Sequence, residues 1–164
     1  DIVGVVEIGA DDRISAIVSF DPDDVDRAFE ELDARYLAGE AAAHPHVWAV
    51  MARECAAFNS HDHPAADWEI VDHRHLAIIE ATDPQATQAI WDVTPDLVIR
   101  IEAVPRLSSF GAVGIYAAGG TSPDGVGAEW RMILLLTIAG DRIIRCEVFD
   151  EAGLDDALAS PDFS

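Results

Sequence analysis

Hydrophobic and polar positions alternate in two short segments at the start of the chain and then recur at helical spacing. Residues 2–8 and 14–20 are rich in β-branched residues and are separated by turn residues, which predicts a β-hairpin. Asp-Pro-Asp-Asp from residue 21 predicts a helix start, and Gly39 predicts its end. A hairpin and one helix bury too little surface to fold alone, so residues 1–40 are expected to pack on another module.

The rest of the chain changes from helical to strand periodicity. Apolar residues at helical spacing predict helices at residues 45–59 and from Asp83-Pro84 to Thr94-Pro95. A strand is predicted at 68–74, continuing through 76–79, and 119–125 is predicted to be a long hairpin loop. Four further strands are predicted at 97–104, 110–117, 129–138 and 142–149. This order predicts an α+β fold with a mostly antiparallel sheet.

A segment near the N-terminus is repeated near the C-terminus at an offset of 129. Eight positions between 10 and 28 match without a gap: Ala10/Ala139, Asp12/Asp141, Arg13/Arg142, Ile14/Ile143, Phe20/Phe149, Asp21/Asp150, Asp26/Asp155 and Ala28/Ala157. Each copy is predicted to be a turn, a strand and a helix start. The repeat indicates that residues 1–40 are the tail of one module and residues 41–164 a second. Because the first residue is Asp rather than Met, we expect a piece of a longer polypeptide.

Three segments carry a family resemblance: Phe58-Asn-Ser-His-Asp62, the strand 68–74, and the closing Gly-Asp-Arg-Ile-Ile-Arg-Cys-Glu-Val-Phe-Asp at 140–150. With these segments the chain resembles the nuclear transport factor 2-like (NTF2-like) superfamily, in its SnoaL-like branch. The resemblance implies a cystatin-like cone, in which a strongly curved sheet wraps around helices and leaves a pocket at the open end. Residues 20–36 resemble a connector in large actinobacterial signalling and regulatory proteins, where such modules stand in tandem near the C-terminus.

Charge excludes one class of function. The formal net charge is −21, and all ten basic residues are Arg. So acidic a surface repels phosphate backbones, and we expect no nucleic-acid binding. No apolar stretch is long enough to span a bilayer, so no membrane association is expected. Two cysteines in apolar surroundings, Cys55 and Cys146, favour free thiols and a reducing cytoplasm.

Asp72 and His73 are the candidate catalytic residues. In enzymes of the resembled superfamily, a carboxylate or His that lines the cone acts as general acid or base on a hydrophobic substrate. An Asp in an apolar cavity would have a raised pKa. Strand alternation places Asp72 and His73 on opposite faces, so only one of them can face a pocket. The alternative is an ion pair of either residue with Arg74 or Arg100.

Aromatic residues supply the candidate ligand-binding set, and histidines supply a weak metal signal. The predicted ligand-binding residues, which also suit core packing, are Trp48, Phe58, Trp91, Tyr116 and Trp130. His61, His63, His73 and His75 are spaced in pairs, but a zinc site needs three or four ligands in fixed geometry. We expect neither a metal nor a cofactor.

These observations leave three functional hypotheses. The first is a non-catalytic sensory or assembly module that forms a homodimer, binds a small apolar ligand and signals to neighbouring domains of its parent chain. The second is a polyketide cyclase- or isomerase-like enzyme using Asp72 or His73 as general acid or base. The third is a module that only holds protomers together.

Overall fold

The computed structural model describes residues 1–62, 67–75 and 84–160. The chain divides into two units, Asp1–Pro45 and His46–Ser164, called unit 1 and unit 2 below. The boundary predicted from the sequence, between residues 40 and 41, stays a prediction.

Unit 1 is a hairpin followed by a helix. Strands β1 (Val3–Ile8) and β2 (Ile14–Phe20) pair antiparallel as a two-stranded sheet, which confirms the predicted hairpin. A 3-10 turn (Pro22–Asp24) leads into α1 (Val25–Ala38). The side chain of Arg35 on α1 forms an ion pair with Glu7, so α1 lies on the sheet face that carries Glu7. On that face Val5 of the sheet is buried, and so is Ala28 of α1.

Unit 2 is an α+β fold around a five-stranded sheet. In chain order its elements are α2 (Pro45–Asn59), β3 (Glu69–Asp72), α3 (Pro84–Val93), β4 (Val98–Ser108), β5 (Gly111–Thr121), β6 (Gly127–Ala139), β7 (Arg142–Asp150) and α4 (Leu154–Leu158). The strand order in the sheet is β3-β7-β6-β5-β4. β3 is parallel to β7, whereas the other neighbouring pairs are antiparallel. The short α4 follows β7 through a 3-10 turn (Glu151–Gly153).

The two faces of this sheet have different covers. On the outer face, α4 packs on a cluster of buried side chains comprising Val113, Ile133, Leu135, Phe149 and Ala157. On the inner face, Trp91 of α3 is buried with Ala118, and Phe58 of α2 and Met132 pack against them. Helices on both faces bury the central strands from two sides, which explains their nearly continuous apolar sequence.

Gly119 and Gly120 lie in a strand, which shortens the predicted long loop 119–125 to residues 122–126. β5 continues through Gly119 and Gly120 to Thr121. A Cβ on Gly120 would lie 2.4 Å from Cγ2 of Thr94 and 3.0 Å from Cα of Leu97. Glycine is therefore needed here for close approach of the backbone rather than for a turn.

Among the helices in residues 1–62, 67–75 and 84–160, none combines the length and the apolar character that a membrane span requires. The predicted continuation of β3 through 76–79 lies outside the described residues.

Candidate functional site

Asp72 lies at the end of β3 on the inner face of the sheet. It is paired in register with Val148, and the preceding inward residue, Ile70, is paired with Cys146. The Asp72 carboxylate is held by Arg74: Nε donates to Oδ1 at 2.9 Å, Nη2 to Oδ2 at 2.6 Å, and the backbone N–H to Oδ1 at 3.0 Å. These hydrogen bonds lower the pKa of Asp72 and outweigh the opposite effect of its partial burial. The direction is opposite to that expected for a general acid.

His73 lies on the other side of the sheet. Its ring stacks on Phe149 with 4.4 Å between centroids, and Nε2 lies 2.7 Å from Oε2 of Glu147. Glu147 is buried and also accepts a hydrogen bond from Nε of Arg145 at 3.1 Å. Phe149 belongs to the outer cluster under α4. The structure therefore separates the two predicted acid–base residues, as strand alternation requires, and places His73 away from the inner face.

Trp91 forms the centre of an aromatic cluster on the inner face. Its ring lies 5.2 Å from that of Phe58 at a tilt of 57°, and it stacks on the imidazole of His61 at 4.7 Å. Trp91 is only 6% exposed. Within the described part of the chain its Nε1 donor has no hydrogen-bond partner. A buried unsatisfied donor is costly, so this N–H is suited to an acceptor on a bound molecule.

Tyr116 and Cys146 form a second, deeper part of the inner face. Burial is the main cause that raises the pKa of Tyr116 well above its usual value, with smaller effects from Cys55 and Cys146. Burial likewise raises the pKa of Cys146 to about 12, helped by Glu147 and Asp72. At neutral pH the phenol and this thiol are protonated while Asp72 is ionised. None of the three is therefore poised to exchange a proton there.

The other two predicted ligand-binding aromatics are less central. Trp48 is buried in α2. Trp130 pairs with Ala118 in register, on the inner face of β6, but is 37% exposed. The structure thus brings Phe58 and Trp91 into direct contact and leaves Trp130 near the start of its strand.

Two residues at the end of α2 have roles that the sequence did not predict. Asn59 ties the helix to β4, because its Nδ2 donates to the carbonyl of Ile99 at 3.0 Å and its Oδ1 accepts from the Ile99 N–H at 2.8 Å. His61 follows with a φ of 56°, a left-handed conformation that ends the helix and brings its ring onto Trp91. Both belong to the segment 58–62 that carries the family resemblance, but in the sequence His61 indicated only a weak metal signal.

Residues 1–62, 67–75 and 84–160 contain no cluster of three His, Cys, Asp or Glu side chains suited to a metal ion. His63, part of the weak metal signal, lies outside the described residues.

Comparison with solved structures identifies the fold. AclR, a hydroxylase candidate from Streptomyces galilaeus, aligns with a TM-score of 0.50 at 14% identity, over 69% of this chain and 96% of its own. A loop-truncation variant of IdmH, a polyketide cyclase candidate from Streptomyces antibioticus, aligns at 0.50 and 18% identity, over 68% and 98%. A SnoaL-like polyketide cyclase candidate from Jannaschia aligns at 0.45 and 15% identity, over 71% and 94%.

The fold is NTF2-like. This confirms the α+β fold class that the sequence predicts. No family model and no curated protein matches the sequence. NTF2-like folds carry unrelated activities, so function has to be argued from the residues of the inner face.

Proposed function

We propose that unit 2 is a non-catalytic binding module, which takes up a small apolar ligand at the inner face of its NTF2-like sheet. The observation that supports the proposal is that both acid–base candidates are held by other side chains. Asp72 is locked to Arg74 with a lowered pKa, and His73 is bound to Glu147 on the opposite face. The inner face that remains is aromatic and aliphatic.

The chemistry of the ligand follows from Trp91. The aromatic cluster suits a flat apolar body, and the Nε1 donor suits one oxygen acceptor on it, such as a carbonyl. A ligand of this class would gain apolar burial and would also satisfy the indole N–H.

A thermal-shift titration with a matched pair of compounds tests this proposal. Fluorenone and fluorene share a flat apolar skeleton, but only fluorenone carries a carbonyl. We expect a dose-dependent rise in Tm with both, larger with fluorenone, because ligand at 100 times its Kd stabilises the native state by about 2.7 kcal/mol. The matched variant Trp91→Phe should remove the difference between them. If neither these compounds nor steroids and polyketide-like aromatics shift Tm, the proposal is wrong.

The module would also form a homodimer and pass ligand occupancy to neighbouring domains of its parent chain. Sedimentation of the purified chain across a concentration range measures the dimer. A monomer at all concentrations would remove this part of the proposal and leave ligand binding intact.

One observation favours a second function, a cyclase- or isomerase-like enzyme. Asp72 is on the inner face, its side chain is only 17% exposed, and the fold is shared with a polyketide cyclase candidate. In this alternative Asp72 acts as the base once substrate displaces Arg74. Any compound that shifts Tm should then be incubated with the protein and followed by mass spectrometry and NMR. Turnover that Asp72→Asn abolishes, with ligand binding retained, would establish the enzyme and overturn the non-catalytic proposal.

A further inference from the structure

The two sequence repeats fold into the same order of elements. With the offset of 129, the 3-10 turn Pro22–Asp24 coincides with Glu151–Gly153, and the start of α1 coincides with the start of α4. The residues before these turns, Asp21 and Asp150, have φ values of −65° and −64°. Unit 1 therefore corresponds to the closing part of unit 2: β1 to the end of β6, β2 to β7, and α1 to α4.

The strand pairing coincides as well, including an irregularity. In unit 1 the register shifts between Glu7 and Ile8, where Ile8 pairs with Ile14. In unit 2 it shifts between Thr137 and Ile138, where Ile138 pairs with Ile143. In the second strands, β2 and β7, equivalent residues such as Ile14 and Ile143 differ in number by 129. In the first strands, β1 and β6, equivalent residues such as Ile8 and Ile138 differ by 130, because the turn of unit 1 is one residue longer.

The faces covered by α1 and α4 share their most buried positions in the two copies. Val5 is 7% exposed and its counterpart Leu135 is 0% exposed, while Ala28 and Ala157 are 4% and 0% exposed. On this side each copy therefore carries a helix of its own.

The opposite faces differ. In unit 1 this face is a stripe of four aliphatic side chains with exposures from 48% to 61%: Val6, Ile8, Ile14 and Ile17. Their counterparts in unit 2 are 8% exposed or less: Leu136, Ile138, Ile143 and Cys146. We call the four residues of unit 1 the apolar stripe. It corresponds to the inner face of the NTF2-like sheet, the side that the core of unit 2 covers.

The structure of unit 2 identifies what covers this face. Arg53 of α2 donates from Nη2 to the carbonyl of Asp141 in the β6–β7 turn at 2.6 Å. Met51 of α2 lies 3.3 Å from the position that a Cβ of Gly114 would take on the inner face of β5. The cover is thus the apolar helix α2, with α3 on the same inner face, and both belong to the polypeptide that precedes the hairpin, residues 46–130.

We propose that unit 1 is the closing part of a second NTF2-like module, and that its apolar stripe is an interaction surface for a segment built like residues 46–130. By the equivalence with unit 2, that segment precedes β1 in the polypeptide. It supplies a helix like α2, whose apolar side packs on the stripe, and strands that extend the edge of β1. This inference concerns unit 1 and is independent of the function proposed for unit 2.

The test adds the proposed covering segment to the N-terminus of the full chain. Because Ile8 corresponds to Ile138, Asp1 corresponds to residue 131, so a second copy of residues 46–130 is placed directly before Asp1. Hydrogen exchange of peptides from β1 and β2 is then followed by mass spectrometry. We expect exchange to slow about tenfold or more relative to the unextended chain, since covered strands open less often. Unchanged exchange, or an added segment that stays unprotected, overturns the proposal.

The matched control carries Val6→Asp and Ile17→Asp in the same fusion. Both charges would fall inside the completed core, so the gain in protection should disappear; a gain that persists shows that the stripe is not the surface used, and overturns the proposal.

In parallel, sedimentation compares the unextended chain with its own Val6→Asp/Ile17→Asp variant. Equal masses are expected. A fall from dimer to monomer would identify a second copy of this chain as the occupant, and the proposed cover would be wrong.

Discussion

The two hairpins of this protein are built alike, yet one is buried on both faces and the other on one. Glu7 and Ser15 of unit 1 correspond to Thr137 and Ile144 of unit 2, and the strand pairing shifts at the same place in both hairpins. The difference lies in what surrounds them. Local sequence is sufficient to specify the hairpin, the turn and the helix, whereas burial of the second face depends on elements far away in the chain. The following predictions test this comparison, from the largest expected effect to the smallest.

A charge placed at equivalent positions of the two inner faces should lower the free energy of unfolding greatly in unit 2 and very little in unit 1. Leu136→Asp puts an unpaired carboxylate into a buried site and is expected to cost about 4 kcal/mol or more. Val6→Asp, at the exposed equivalent, should change the free energy of unfolding by no more than about 0.5 kcal/mol in the unextended chain. Urea unfolding followed by tryptophan fluorescence measures the first change, since every Trp lies in unit 2. Circular dichroism and hydrogen exchange of unit 1 measure the second, and a large loss there would contradict the comparison.

The acidic residues on the helix-covered faces should also differ in importance. Glu147 is buried and serves both His73 and Arg145, so Glu147→Gln is expected to cost about 2–3 kcal/mol. Glu7 is half exposed, and its pKa is lowered mainly by Arg35. Glu7→Gln should lower Tm less than Glu147→Gln, and its small effect should vanish as the pH falls through the lowered pKa. Thermal melts of both variants at pH 7 decide this; equal losses would show that the two carboxylates contribute equally to stability.

The matched alanines of the two helices should respond alike, because both are buried. Ala28→Leu and Ala157→Leu each force a larger side chain into a filled site, at an expected cost of about 1–3 kcal/mol. Ala→Ser at the same positions is a control of nearly equal size. Chemical denaturation of both pairs gives the comparison, and a tolerated Ala28→Leu would mean that α1 is packed more loosely than α4.

A substitution of Asp72 measures the contribution of β3, which pairs with β7. Among the described residues, no strand occupies the equivalent place beside β2. Because Arg74 lowers the pKa of Asp72 in the folded state, the unfolded chain binds more protons at low pH. The contribution of the pair is therefore complete above the unfolded pKa of about 3.9 and is lost as the pH falls through the lower folded value. Asp72→Asn should cost about 1 kcal/mol at pH 7, and wild type and variant should converge in acid. Melting curves from pH 7 to acid pH check this; a constant difference would rule out the ion pair as its source.

Sequence periodicity predicted most of the elements, because their apolar positions are locally regular. The helix 45–59 and the hairpin 2–20 agree with α2, β1 and β2 to within a residue. The extension of β5 through Gly120 was missed, since glycine is typical of turns and the close approach of Leu97 is a tertiary contact.

The candidate site could be predicted only in part. Strand alternation correctly separated Asp72 from His73, and Arg74, two residues from Asp72, was recognisable as its partner. The pairing of His73 with Glu147 spans 74 residues, and the stacking of His61 on Trp91 depends on one left-handed residue. Neither leaves a periodic signal.

The unequal turns of the two hairpins have a practical consequence for protein engineering. The turn of unit 1 is one residue longer than that of unit 2, yet on both sides of the shared bulge every pair faces the same way. A one-residue slip would exchange the two faces of a strand. The extra residue is therefore contained within the turn itself. Residues 10–12 are thus a site where a fluorophore, an affinity tag or a grafted peptide can be inserted without altering the strands below it.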